Sequence, residues 1–270
     1  MTIVFFGTSS YCLPVLESLN KNLPAGRQGF DLKLVVTRPD LPVGRKKILT
    51  PSATKLWAEK NNVPVAEELT FDADLAIVAD YGKIIPEAVF TRPKLGTWNI
   101  HFSKLPDLRG ASPVQACLLR GDTIAWVTIF KIEKTLDTGP ILWQKSYPIL
   151  PEDTASTLYT RLFQEVAKEL PTINFSGPLM AQTGTPTFCK MLTRDDGFVE
   201  WKDIQKATSI QKPVSSISIY NRFRAMTPWP GLWTIHPNGK RMKVLKCHLE
   251  GGKLVLDQIQ FEGKTPEKYR

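Results

Sequence analysis

Asn99, His101 and Asp137 are the residues whose types and spacing suit chemistry. Asn99 and His101 stand two apart at the end of the apolar run Gly96-Thr-Trp-Asn-Ile-His-Phe102, so on a β-strand both leave the same face. Pro106 and Gly110 follow, marking the opening of that strand into a loop. A second apolar run, residues 124–132, leads to Asp137 in the turn Leu136-Asp-Thr-Gly139. An acid following one strand can orient a histidine at the end of another and favour its charged form. A neighbouring amide donates to a developing oxyanion. The set suits transfer of an acyl group to an acceptor without a covalent intermediate. A strand histidine also serves as an ordinary core residue, and spacing alone does not choose between the two.

The elements that must position these groups alternate through the first half. Residues 2–6, 32–37, 74–80 and 96–102 read as strands, and 12–19, 52–61 and 86–90 as helices, with Ser52 as a cap. The alternation implies a parallel, doubly wound sheet, whose ligands gather at the carboxyl ends of the strands. The first strand ends in Gly7-Thr-Ser-Ser, not the dinucleotide pattern G-x-G-x-x-G. Pro24-Ala-Gly-Arg-Gln-Gly29 reads as a loop insertion. Residues 153–170 form an amphipathic helix with Leu158, Leu162, Phe163 and Val166 as its packing stripe. Beyond a linker, residues 201–226 are helix-compatible and Pro228-Trp-Pro-Gly231 turns the chain. Strand-like runs at 232–236, 242–248 and 253–259 follow, divided by Asn238-Gly239 and Gly251-Gly252. A small β-barrel or barrel fragment is the natural reading.

Charge separates the two parts. Residues 201–270 hold 13 Lys and Arg against 5 Asp and Glu, a net of +8, whereas residues 1–200 net +1. A basic module on a near-neutral body points to a polyanionic partner, RNA or DNA. At 42% hydrophobic and 23% charged, the composition is that of a soluble globular protein. The opening residues read as a strand and not a leader, and no apolar run has membrane-spanning length. Four scattered cysteines read as reduced cytoplasmic thiols, and three histidines leave little from which to build a metal site.

Taken in order, several motifs make the chain resemble the methionyl-tRNA formyltransferases. They are Val4-Phe-Phe-Gly-Thr8, Thr37-Arg-Pro-Asp-Leu-Pro-Val-Gly-Arg45 with Lys46-Lys47, Ala79-Asp-Tyr-Gly82, Asn99-Ile-His-Phe-Ser-Lys-Leu-Pro106, Arg109-Gly-Ala-Ser-Pro-Val-Gln115, Leu136-Asp-Thr-Gly139 and Thr227-Pro-Trp-Pro-Gly231. The resemblance runs from residue 2 to about 234. It implies an α/β architecture: a Rossmann-like formyltransferase domain over residues 1–184, a linker at 185–197, and a short OB-like β-barrel for tRNA over 198–270. It implies transfer of a formyl group from 10-formyltetrahydrofolate to the amino group of initiator methionyl-tRNA by a monomeric cytoplasmic enzyme, with no metal and no membrane. Asn99, His101 and Asp137 are then the catalytic set. Ser103, Lys104, Leu105 and Pro106, with Asp80, Tyr81 and Gly82, line the folate site. Arg38, Arg45, Lys46 and Lys47 meet the acceptor end of the tRNA on a Pro- and Gly-containing cationic loop. The chain departs from the family in carrying Lys104 where a leucine is usual, and in having only 37 residues after Trp233. Two other readings compete. A sugar-nucleotide N-formyltransferase uses the same Asn-His-Asp chemistry but needs neither cationic loop nor basic module. A non-catalytic RNA-binding protein needs none of the three catalytic residues.

Overall fold

A computed structural model describes every residue except 22–28, 45, 70–71, 210–212 and 270. The Pro24–Gly29 insertion therefore lies largely outside the described residues, as does Arg45. By contacts the chain divides into two units built from interleaved stretches. The first is Met1–Arg109, Trp126–Tyr147 and Tyr159–Thr187; the second is Gly110–Ala125, Pro148–Leu158 and Phe188–Arg270.

The elements run β1 (Thr2–Gly7), α1 (Leu13–Asn20), β2 (Asp31–Val36), β3 (Leu41–Val43), β4 (Ile48–Thr50), α2 (Ala53–Lys60), β5 (Val65–Ala66), β6 (Leu75–Ala79), α3 (Glu87–Phe90) and β7 (Thr97–His101). They continue with β8 (Arg109–Gly110), α4 (Pro113–Arg120), β9 (Ile124–Lys131), β10 (Ile141–Pro148) and α5 (Ala155–Glu169). Seven strands make the main sheet in the order β10-β9-β7-β6-β1-β2-β5. β7, β6, β1, β2 and β5 are parallel to their neighbours within that group, as the alternation predicts. β9 is antiparallel to β7, so the sheet is mixed where a purely parallel one was expected. The connection out of β7 brings the chain back into the sheet at the carboxyl end of β7, and the direction reverses.

The central strands are apolar on both sides; β6 is buried along its whole length. Val4, Phe6, Leu34, Val36, Ala76 and Val78 form a cluster on one face. Phe163 of α5 meets Phe102, just past β7, with ring centroids 4.6 Å apart. Such a fully buried aromatic contributes about 1.5–3 kcal/mol. Ser52 caps α2 as expected, its Oγ accepting from the Lys55 N–H at 3.0 Å.

In the second unit, β11 (Phe188–Cys189) and a 3-10 turn (Arg194–Gly197) occupy the stretch expected as a linker. α6 (Trp201–Thr208) and α7 (Pro213–Met226) then pack on the antiparallel sheet β12 (Leu232–Ile235), β13 (Arg241–Glu250), β14 (Lys253–Phe261) and β15 (Glu267–Lys268), in that order. Among the described residues the sheet is an open four-stranded meander, a reduced form of the expected barrel. Ile204, Ala207, Phe223, Leu232, Met242 and Leu256 build its core. No helix among the described residues is long and apolar enough to cross a membrane.

Candidate active site

β7 carries the amide and the ring. Its register sets Asn99 beside Val78 of β6 and Phe130 of β9, and His101 beside Thr128 of β9. Asn99 is half-buried and His101 buried. His101 Nε2 lies 2.9 Å from the Leu108 carbonyl. A carbonyl only accepts, so Nε2 carries the proton and the neutral ring keeps its lone pair on Nδ1. Nδ1 stands 3.9 Å from Asp137 Oδ2, with both side chains under a tenth exposed. That gap is too long for a direct hydrogen bond but short enough for strong coupling between buried charges. Phe130 packs against the imidazole with its ring nearly perpendicular, centroids 6.2 Å apart.

Burial holds His101 below its ordinary pKa; the Asp137 carboxylate and the Leu108 carbonyl push the other way without prevailing. The ring is therefore a neutral base near pH 7. Asp137 favours the charged form, as its placement after β9 implies, but burial outweighs it. The hydrogen bond that fixes the tautomer comes from the Leu108 carbonyl, where the sequence pointed to the acid. Asp137 stands where it stabilises the imidazolium once formed.

The backbone that holds this set is unusual at two points. Asp137 has φ +53° and Leu108 φ +55°. Aspartate enters the left-handed region readily, whereas for leucine it costs about 1–2 kcal/mol. The loop after β7 offsets that cost with fastenings. Thr128 Oγ1 donates to the Ser103 carbonyl at 2.6 Å, Ser103 Oγ donates to the Asp107 carbonyl, and the Leu108 N–H donates to Thr187 Oγ1 at 2.8 Å. The Asp137 turn is fastened too. Gln182 Nε2 donates to the carbonyls of Asp137 and Gly139 at 2.9 and 2.8 Å, while Gln182 Oε1 accepts from Arg109 Nη2 at 2.6 Å. Gly139 lies against β9; a Cβ there would sit 1.7 Å from the Lys131 carbonyl oxygen. Leu108 and Gln182 escaped the sequence reading. Leu108 acts through its backbone, which side-chain type does not reveal, and Gln182 sits in a stretch of linker composition.

The residues expected at the folate site fall into two groups. Leu105 and Pro106 are buried, Leu105 in a cluster with Phe130 and Ile141. Lys104 alone of residues 103–106 points outward, its Nζ 4.7 Å from the centre of the Trp126 ring. Asp80, Tyr81 and Gly82 follow β6, the strand next to β7. Asp80 accepts a hydrogen bond from Ser9 Oγ, and Tyr81 packs edge-on to Phe6, centroids 5.5 Å apart. Gly82 is exposed, with open space where a Cβ would be.

The cationic loop is a hairpin of β3 and β4. Lys46 and Lys47 are exposed at its tip, alongside Val43, Ile48 and Leu49, each at least half exposed. Arg38 turns back to the hairpin base, where Nη1 donates to the Pro39 carbonyl at 2.8 Å.

Among the described residues no group of histidine, cysteine and acidic side chains is placed to hold a metal. Burial pushes the Cys12 and Cys117 thiols up to about 12, so neither is an activated nucleophile.

The chain is similar to known proteins along most of its length. A family model described as formyl transferase matches residues 1–173, and one described as formyl transferase, C-terminal domain, matches 191–253. The methionyl-tRNA formyltransferase of Caldicellulosiruptor saccharolyticus is 35% identical over 261 residues, covering 90% of this chain and 78% of that protein. Among solved structures, a methionyl-tRNA formyltransferase from Clostridium thermocellum superposes with TM-score 0.65 at 17% identity, covering 97% of this chain and 99% of that one. WlaRD, a sugar 3N-formyl transferase crystallised with dTDP and 5-N-formyl-THF, superposes with TM-score 0.62 at 23% identity, covering 93% and 87%. At these identities the two structures speak to the fold.

Proposed function

The chain belongs to the methionyl-tRNA formyltransferase family, and from that premise we propose that Asn99, His101 and Asp137 transfer the formyl group of 10-formyltetrahydrofolate to the amino group of initiator methionyl-tRNA. The buried His101–Asp137 pair, 3.9 Å apart with Nδ1 unprotonated, carries the reading. The amine attacks the formyl carbonyl and a new C–N bond forms. Asn99 donates to the oxygen as it gains charge, an interaction worth about 10²–10³ in rate. His101 Nδ1 takes the proton released by the attacking amine, worth about 10²–10⁴. Asp137 stabilises the resulting imidazolium, which returns the proton to the departing folate nitrogen as the old C–N bond breaks. No enzyme nucleophile is required, in keeping with the suppressed thiols.

The donor's heterocycle lies along the loop of Asp80, Tyr81 and Gly82, and the loop of Ser103, Lys104, Leu105 and Pro106 forms the other wall. Lys46 and Lys47, with Arg45, meet the acceptor end of the tRNA, and Arg38 braces the hairpin that presents them. The basic stretch 198–270 follows the phosphate backbone. The protein acts as a cytoplasmic monomer.

The hairpin's exposed cations and the net +8 of residues 201–270 favour tRNA over an amino sugar as acceptor. The decisive experiment offers the protein 10-formyltetrahydrofolate with charged initiator tRNA and, separately, a panel of amino-sugar nucleotides. Transfer to the tRNA alone is expected; transfer to a sugar alone would overturn the assignment.

A further inference from the structure

The Pro228-Trp-Pro-Gly231 turn has no part in the chemistry above, yet it forms one wall of a cleft of about 320 Å³ in the second unit. That volume falls within the range of small-molecule sites, about 300–1,000 Å³. Arg194, Arg241 and Lys243 line it against a single acid, Asp195, and two indoles, Trp229 and Trp233, complete it.

The walls are preformed. Trp233 Nε1 donates to the Arg194 carbonyl at 2.9 Å, and the Phe198 ring lies 4.8 Å from Trp233 between centroids. The Arg241 guanidinium rests 4.7 Å from the Trp233 ring centre, which fixes a charge that a long side chain would otherwise leave roaming. Lys243 is the cross-strand partner of Trp233, two residues from Arg241, so the two cations share one face of β13. A Cβ at Gly197 would lie 2.0 Å from the Gly231 carbonyl, so the two turns that face the cleft are pressed together. Arg222 Nη1 braces the first of these turns by donating to the carbonyls of Asp196 and Phe198 at 3.3 and 3.2 Å. Trp233 is thus occupied on its faces, whereas Trp229 stays 54% exposed.

We propose that this cleft takes one unpaired nucleotide of the tRNA substrate, its base stacked on Trp229 and its phosphate between Arg241 and Lys243. The inference rests on the tRNA assignment above and adds which part of the RNA is held. A duplex backbone asks for cations alone. An open indole beside a fixed guanidinium and a second cation matches an unstacked base with its own phosphate.

The test uses the full chain, fluorescently labelled initiator tRNA and a salt series. Trp229→Leu is expected to weaken binding about tenfold, with the slope of affinity against salt unchanged, because stacking releases no counterions. Trp229→Phe should recover most of the loss, which a merely misfolded variant would not. Arg241→Gln should weaken binding and lower the salt slope by about 1. Wild-type affinity in Trp229→Leu, or equal losses in the Leu and Phe variants, would overturn the proposal. Formyl transfer to charged tRNA by the wild-type protein, measured alongside, tests the underlying assignment separately; each result stands without the other.

Discussion

Replacing Asp137 by asparagine keeps the shape of the turn and removes one charge 3.9 Å from His101 Nδ1. Both side chains are buried, so solvent screens the interaction little. At an effective dielectric of about 20, a unit charge at that distance contributes about 4 kcal/mol toward the imidazolium. If proton transfer is complete in the transition state, kcat falls by about 10³; if it is half complete, the loss is about 2 kcal/mol, or about 30-fold. The pH profile gives an independent sign. His101 must be neutral to act, and burial already holds its pKa below the ordinary histidine value. The acidic limb of kcat against pH should therefore lie below about 6.5 in the native enzyme. In Asp137→Asn it should move lower still, since the carboxylate that favours protonation is gone. Steady-state formyl transfer to charged tRNA across the acidic and neutral range reads both quantities. A loss of less than about fivefold, or an acidic limb that shifts upward, would refute the role given to the acid.

Gln182→Ala should lower kcat about five- to thirtyfold by unfastening the Asp137 turn, the worth of one or two hydrogen bonds. It should also bring the acidic limb of the pH profile toward that of Asp137→Asn, which a purely structural role would not do. Gly139→Ala forces the turn off β9, and activity should drop by more than about 10²-fold, as expected when a catalytic group is misplaced by an ångström; a far-ultraviolet melting curve shows whether the fold survives. Lys104→Leu replaces an exposed contact with Trp126 worth about 0.5–1 kcal/mol, so the KM for the folate donor should change no more than about fivefold.

The strand that carries Asn99 and His101 was readable from the sequence because its polar side chains and its hydrophobic pattern coincide. Asn99 and His101 close an apolar run, and the Pro and Gly that follow mark the place where the strand gives way to a loop. The helix at Ala53 was legible through its cap, that at Ala155 through its apolar stripe, and that at Leu13 from the alternation of elements. The sheet's mixed direction was not, since it depends on the end of the sheet at which the chain re-enters, and nothing in β9 itself records that. The β3–β4 hairpin read as a loop because its apolar residues stay exposed. The neutral state of His101 was also hidden: burial on every side outweighs one nearby acid, and that burial comes from residues distant in the chain. Leu108 shows the same limit, since any residue type supplies a carbonyl.

The bridge from Gln182 to the Asp137 and Gly139 carbonyls bears on the order in which the molecule matures during synthesis. Every strand of the main sheet precedes residue 149, so a nascent chain can complete its framework before the glutamine has left the ribosome. Until then the acid's turn lacks its latch. A translation product halted ahead of Gln182 would own the imidazole, the amide and the acid, yet leave the last of them loosely aimed.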